Sequence, residues 1–222
     1  MPDRIVLIAC NTLKAEIEHI CALRGKSYPT IWLESQLHNE PDHLAERLQH
    51  ALDGIEGADT VLLGFGNCGN VVQGLAARDF ELIVPRLDDC ISLLFGSQQV
   101  RTAYSEVHRS IFLTQGWMDD GHNIIDEYQR TQDKYGEETA RSVFASMYRH
   151  YRSMTYLDTG LYDIAALKNR THAICDMLEL EQLVVTATLS YLEELLMGPW
   201  PENRFVHVAP GGTVPSAPFR EL

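Results

Sequence analysis

Several features are missing from this chain, and each absence narrows what it can be. No uninterrupted apolar stretch is long enough to cross a bilayer. Positive charge is scarce. Lys and Arg number 18 against 31 Asp and Glu, for a net charge of −13. A nucleic acid or an anionic membrane is recognised through a basic surface, so both are excluded as partners. Neutral, cationic or metal-containing ligands remain, and the acidity also serves solubility. Cysteine is sparse too. The five are odd in number and widely spaced, and none has a partner two to four residues away. That excludes a disulfide framework and the paired spacing of zinc fingers. There is no low-complexity tract, heptad array or fixed-period repeat. No amino-terminal signal peptide is read either, because Asp3 and Arg4 precede only the strand-length run Ile5 to Ala9. These absences together describe a cytoplasmic globular protein.

What is present is a repeated joint between strand and helix. The length of 222 residues suits one domain over 1–222, or two small lobes sharing a core. Apolar runs at 5–9, 28–33, 60–63, 80–84, 110–114, 154–157, 183–187 and 205–208 read as strands. Helical spacing recurs between many of them, as in Leu13, Ile17, Ile20 and Cys21, or Leu44, Leu48 and Leu52. The alternation predicts an α/β fold: a largely parallel sheet with helices on both faces. Two lobes around a cleft would meet near the polar stretch 117–136. Within it, 118–136 lacks apolar periodicity and reads as a loop with a short helix.

The most informative stretch is Val61-Leu62-Leu63-Gly64-Phe65-Gly66-Asn67-Cys68-Gly69-Asn70. An apolar strand empties into a glycine-rich turn that holds one cysteine, and Val71 to Ala77 reads as the following helix. A helix start favours a thiolate over a thiol. Cys68 is therefore placed as a reactive or metal-binding residue, or as a small side chain packing in a tight turn. The joint recurs at Cys10 after the first strand, at His38 after the second and at Cys90 after the fourth. In an open parallel sheet these strand ends share one rim. Three thiols and one imidazole complete a tetrahedral Zn2+ set, or the ligands of an iron–sulfur cluster. The competing reading is that the cysteines are buried small residues. Cys21 reads as a small core residue, and Cys175 as internal to a helix.

Other residues join the same rim. Arg86 suits a carboxylate or phosphate, and Asp88 or Asp89 suits a base or an orienting group for His38. A helix cap is the simpler role for either aspartate. Gly66 lets a ligand approach the backbone, and Trp117, after a strand end, suits a pocket wall. Asp158 also follows a strand. The spacing Gly64-x-Gly66-x-x-Gly69 is a weak dinucleotide fingerprint that leaves the cysteines unexplained.

Five segments carry a resemblance to a known family. They are Ile8-Ala9-Cys10, Leu37-His38-Asn39-Glu40-Pro41, Leu63 to Asn70, Pro85-Arg86-Leu87-Asp88-Asp89-Cys90 and Leu113-Thr114-Gln115-Gly116-Trp117. Together with Asp158-Thr159-Gly160 and Ala209-Pro210-Gly211-Gly212, they resemble the family catalogued as domain of unknown function 1638. The family name carries no activity. Its association with corrinoid-dependent methyltransferase systems implies a place near methyl transfer or tetrapyrrole handling, by association only. Three functions follow as expectations. One is a metal-dependent enzyme or accessory factor for methyl or thiol transfer on a small molecule. Another is a non-catalytic module that binds a corrinoid or a methyltransferase partner. The third is a metal-free enzyme with Cys68 as nucleophile and His38 as base.

Overall fold

The computed structural model describes residues 4–34 and 40–216. The expected His38 position lies outside the described residues. In chain order the elements are β1 (Ile5–Cys10), α1 (Lys14–Arg24), β2 (Thr30–Leu33), α2 (Pro41–Asp53), β3 (Thr60–Gly64) and β4 (Glu81–Pro85). They continue with α3 (Cys90–Phe95), α4 (Gln98–His108), β5 (Ser110–Leu113), α5 (Gln115–Asp119), α6 (Ile124–Tyr135) and α7 (Glu137–Tyr148). The last are β6 (Ser153–Asp158), α8 (Ile164–Leu178), β7 (Glu181–Thr186), α9 (Ser190–Met197) and β8 (Phe205–Val208). The fold is α/β, and every expected strand is present.

The chain forms two compact units. The first comprises Met1–Val100 and Thr188–Leu222, and the second Arg101–Ala187. The stretch 117–136, expected to hold a lobe boundary, lies inside the second unit.

The first unit is built on a sheet of order β2-β1-β3-β4-β8. Its first four strands are parallel, and β8 runs antiparallel along β4. All five residues of β3 are buried. A parallel strand covered on both faces needs such a continuous apolar run, and Val61-Leu62-Leu63 supplies it. β1 pairs with β2 on one side and β3 on the other, in the register Ala9↔Trp32 and Ala9↔Gly64. The connection out of β1 therefore runs to one side and the connection out of β2 returns to the other. That reversal makes the space between the carboxyl ends of β1 and β3 the topological switch point, where ligands bind in such sheets.

The second unit carries the all-parallel sheet β5-β6-β7. Its core gathers Met154, Tyr156, Phe144, Leu167 and Cys175. Tyr156 is fully buried, and its hydroxyl accepts from Gln182 Nε2 at 2.6 Å and sits 2.5 Å from Thr171 Oγ1. Burial pushes its phenol up to about 12. Cys175 lies inside α8, as expected, and is 1% exposed, whereas Cys21, expected in the core, is only partly buried.

Two local expectations are corrected. Val71 to Ala77 is not a helix but a series of turns. Cys68, Asn70 and Gly74 have φ of 21°, 75° and 79°. A right-handed helix cannot run through such positions. The backbone there pairs with the carboxyl-terminal segment instead. Gly74 N–H donates to the Val214 carbonyl and Ala77 N–H to the Gly212 carbonyl, both at 2.9 Å. The segment from Thr213 to Ser216, expected to be irregular, thus includes a bridge from Thr213 to Ala76.

The second correction concerns 118–136, which is mostly helix. Asn123 caps α6 by accepting from Ile125 and Asp126 N–H groups, and Asp126 and Glu127 occupy its first turn. Such a start stabilises a polar helix without a broad apolar stripe. The contact face is narrow: Tyr128 meets Phe144 of α7 edge-on, with ring centroids 5.1 Å apart.

Candidate functional site

The carboxyl ends of β1, β3 and β4 deliver three cysteines to one place. Cys10 is the last residue of β1 and 5% exposed. Its Sγ lies 3.1 Å from Thr12 Oγ1. Cys90 is the first residue of α3 and 7% exposed. Cys68 stands on the turn after β3 and is half-buried. Its Sγ is 3.6 Å from Cys90 Sγ. Cys90 also contacts Cys10 by a side-chain hydrogen bond. Cys90 is therefore the middle thiol. The contacts to Cys10 and Cys68, followed by burial, push its pKa well above the ordinary cysteine value.

The backbone explains why the two loops come so close. Gly66 N–H points at Cys90 Sγ at 3.4 Å, and Asn67 N–H donates to the Leu87 carbonyl at 2.8 Å. A Cβ on Gly66 would stand 2.5 Å from Asp89 Cα, a distance no side chain tolerates. Gly66 is thus required by the approach of the chain's own backbone. The expectation had given it to a ligand.

Asp89 caps α3. Its Oδ1 accepts from Ser92 N–H and from Ser92 Oγ, each at 2.8 Å. Asp88 is exposed, and its N–H donates to Gln98 Oε1 at 2.8 Å. Arg86 reaches back to the strand beside it. Its Nε donates to the carbonyls of Glu202 at 2.7 Å and Phe205 at 3.3 Å. Trp117 and Asp158 belong to the second unit. Trp117 lies in α5, partly buried against that unit's core, and Asp158 Oδ1 accepts from Gly160 N–H.

Two buried polar residues escaped the sequence reading. Asn67 is 7% exposed, and its Nδ2 donates to Asn70 Oδ1 at 3.0 Å. Its Oδ1 is buried without a donor among the described residues. The asparagine preceding the cysteine was its only sequence signal. Glu16 is 1% exposed on α1. It stands three residues after Leu13 and four before Ile20, so an acidic residue on an apolar face was the signal there.

Sulfur donors suit a soft metal over a hard one. Cys10 and Cys68 each meet Cys90, and Cys10 Sγ also meets the Thr12 hydroxyl. Among the described residues, no three His, Cys, Asp or Glu side chains are disposed as a metal ion requires. The thiols touch in a chain through Cys90, and the fourth expected ligand, His38, is not among those residues. Among the described residues no helix is long and apolar enough to cross a membrane.

Fold and site together define an α/β protein with a thiol cluster at a topological switch point. The profile of one family, described as protein of unknown function (DUF1638), matches residues 32–196, and the chain belongs to that family. The matched span includes Cys68 and Cys90 and begins after Cys10. No curated protein and no solved structure matches the chain.

Proposed function

We propose that the first unit binds a transition metal, as Zn2+ or an iron–sulfur cluster, through Cys10, Cys68, Cys90 and His38. On this reading it acts as an enzyme or accessory factor in methyl or thiol transfer on a small molecule. The observation that carries the reading is the 3.6 Å contact between Cys68 and Cys90, with Cys10 against Cys90. Tetrahedral zinc holds sulfur at about 2.3 Å, which separates two sulfurs by about 3.8 Å. The contact already approaches that edge length. Buried thiols held protonated by one another release protons when a cation takes their place. Cys10 on β1 and Cys90 at the start of α3 supply fixed ligands, and Cys68 on its turn supplies an adjustable one.

If only three of these four residues held zinc, the open position would take a substrate thiol, and zinc would lower that thiol's pKa so that it is a nucleophile at neutral pH. Asp88 is exposed beside the cluster's helix, and Arg86 and Asp89 are partly exposed. Arg86 and an aspartate of this segment are the proposed substrate contacts. A corrinoid, a corrinoid protein or a methyltransferase is the proposed partner, on the family's association with corrinoid-dependent systems alone. Metal analysis of protein purified without oxygen tests the reading. It expects about one equivalent of zinc or a broad thiolate-to-iron absorbance. Metal far below stoichiometry, with no uptake on reconstitution, overturns it.

One observation favours a second reading. Cys68 is the more accessible of the three thiols, as a nucleophile must be. Selective alkylation of Cys68 in metal-free protein, abolished in His38→Ala, is its signature. Equal labelling of both proteins counts against it.

A further inference from the structure

We propose that Cys68 is a site of oxidative modification, with Cys90 as its resolving partner, so that a hydroperoxide closes a reversible Cys68–Cys90 disulfide. The two sulfurs are 3.6 Å apart, and a disulfide bond is about 2.0 Å long. Closure therefore needs an approach of about 1.6 Å. Cys68 can supply that movement. It lies on a turn outside any helix or strand, followed by Gly69. Its φ of 21° is a backbone state that cysteine rarely adopts, so a movement toward an ordinary φ relieves strain.

The other two thiols are fixed. Cys90 begins a helix whose cap is tied to Ser92. Cys10 ends a strand paired on both sides, with Leu33 as its own partner and Gly64 beside Ala9. Cys10 and Cys90 both sit on regular elements, so their closure has side-chain rotation alone to draw on, without the backbone movement a turn supplies. Accessibility gives the same order, because Cys10 and Cys90 are buried and Cys68 is half-buried. Oxidant meets Cys68 first.

The chemistry balances in two steps. The Cys68 sulfur attacks one oxygen of the hydroperoxide and the O–O bond breaks. Cys68 becomes a sulfenic acid, and the other oxygen leaves with the thiol proton as water or an alcohol. The Cys90 sulfur then attacks the Cys68 sulfur, and the S–O bond breaks. The hydroxyl leaves with the Cys90 proton as water, and the S–S bond forms. Two thiols lose two electrons and one peroxide gains them. The regulatory consequence rests on the proposed function: the disulfide withdraws two of the metal's sulfurs, so peroxide would release the metal.

The test uses the full chain, stripped of metal by a chelator and reduced, then treated with one equivalent of hydrogen peroxide. Arg78 and Arg86 separate the two cysteines, so trypsin places them on different peptides. The expected result is a loss of two hydrogens from the intact mass and a Cys68–Cys90 linked peptide that dithiothreitol releases. C10S should give the same link, while C68S and C90S should give none. A link through Cys10, a sulfinic acid accumulating on Cys68, or unchanged thiols overturns the proposal. Should C10S fail to fold by circular dichroism, the wild-type peptide map decides alone. Reduced protein that closes this disulfide but takes up no metal removes the proposed function and leaves this inference standing.

Discussion

Gly66 concentrates the physics of the site in one hydrogen atom. Its lack of a side chain lets the turn after β3 lie against the Asp89 backbone, which brings Cys68 and Cys90 together. Gly66→Ala should cost about 3 kcal/mol of stability, because the obstructing atoms are backbone and cannot rotate away. Urea denaturation measures it, and metal uptake should fall with it. A change within about 0.5 kcal/mol would show that the two loops move apart freely. His207 carries a different kind of sensitivity. Partial burial alone would lower its pKa. Hydrogen bonds to the Glu81 carboxylate at 2.8 Å and the Trp200 carbonyl at 2.6 Å, with the Glu81 and Glu202 charges, raise it overall. Both ring nitrogens face acceptors, so the doubly protonated form fits. A raised folded pKa means the stabilisation is complete below the ordinary histidine value and is lost as pH rises through the raised one. His207→Gln should therefore lower the urea midpoint more at about pH 5 than at about pH 9. An equal loss at both would place the effect in packing instead.

At the scale of elements, strands were legible and their connections less so. β3 and β4 announce themselves by apolar runs that only a buried parallel strand needs. The segment 71–77 looked helical because Val71, Val72 and Leu75 mimic helical spacing. Positive φ at Asn70 and Gly74, and pairing with the carboxyl-terminal segment, decided otherwise. The helix-start argument for Cys68 falls with that helix, and Cys90 is the cysteine that begins one. Its helix is short, so its cap matters. Asp89→Ala should destabilise the protein by about 1 kcal/mol by removing the partner of Ser92 N–H. Asn123→Ala, which uncaps α6, should cost about as much. Only the first should also weaken metal uptake, because only Asp89 adjoins a proposed ligand. Matching uptake in the two variants would separate Cys90 from the metal reading.

At the scale of the whole molecule, the division into units assigns the candidate residues. Cys10, Cys68 and Cys90 all fall in the first unit, while Trp117 and Asp158 fall in the second. The first unit is completed by a segment that returns after position 187. Thr188 N–H donates to the Leu94 carbonyl at 2.8 Å, so the chain rejoins this unit close to where it leaves. A variant in which a short glycine–serine linker replaces 101–187 should therefore fold and keep the metal stoichiometry of the full chain. Circular dichroism and metal analysis check both parts. A folded variant without metal would show that the second unit contributes a ligand.

The sequence by itself determined the α/β class, the strands and the three cysteines worth watching. Apolar runs and strand-end positions are local properties, and each can be read within a few residues. It did not determine that β1 and β3 flank the reversal in strand order, that the chain divides after Val100, or that Cys90 stands between Cys10 and Cys68. Those facts depend on which strands pair and on a glycine allowing two backbones to touch. Both are settled between residues far apart in the chain, and only the tertiary structure brings them together.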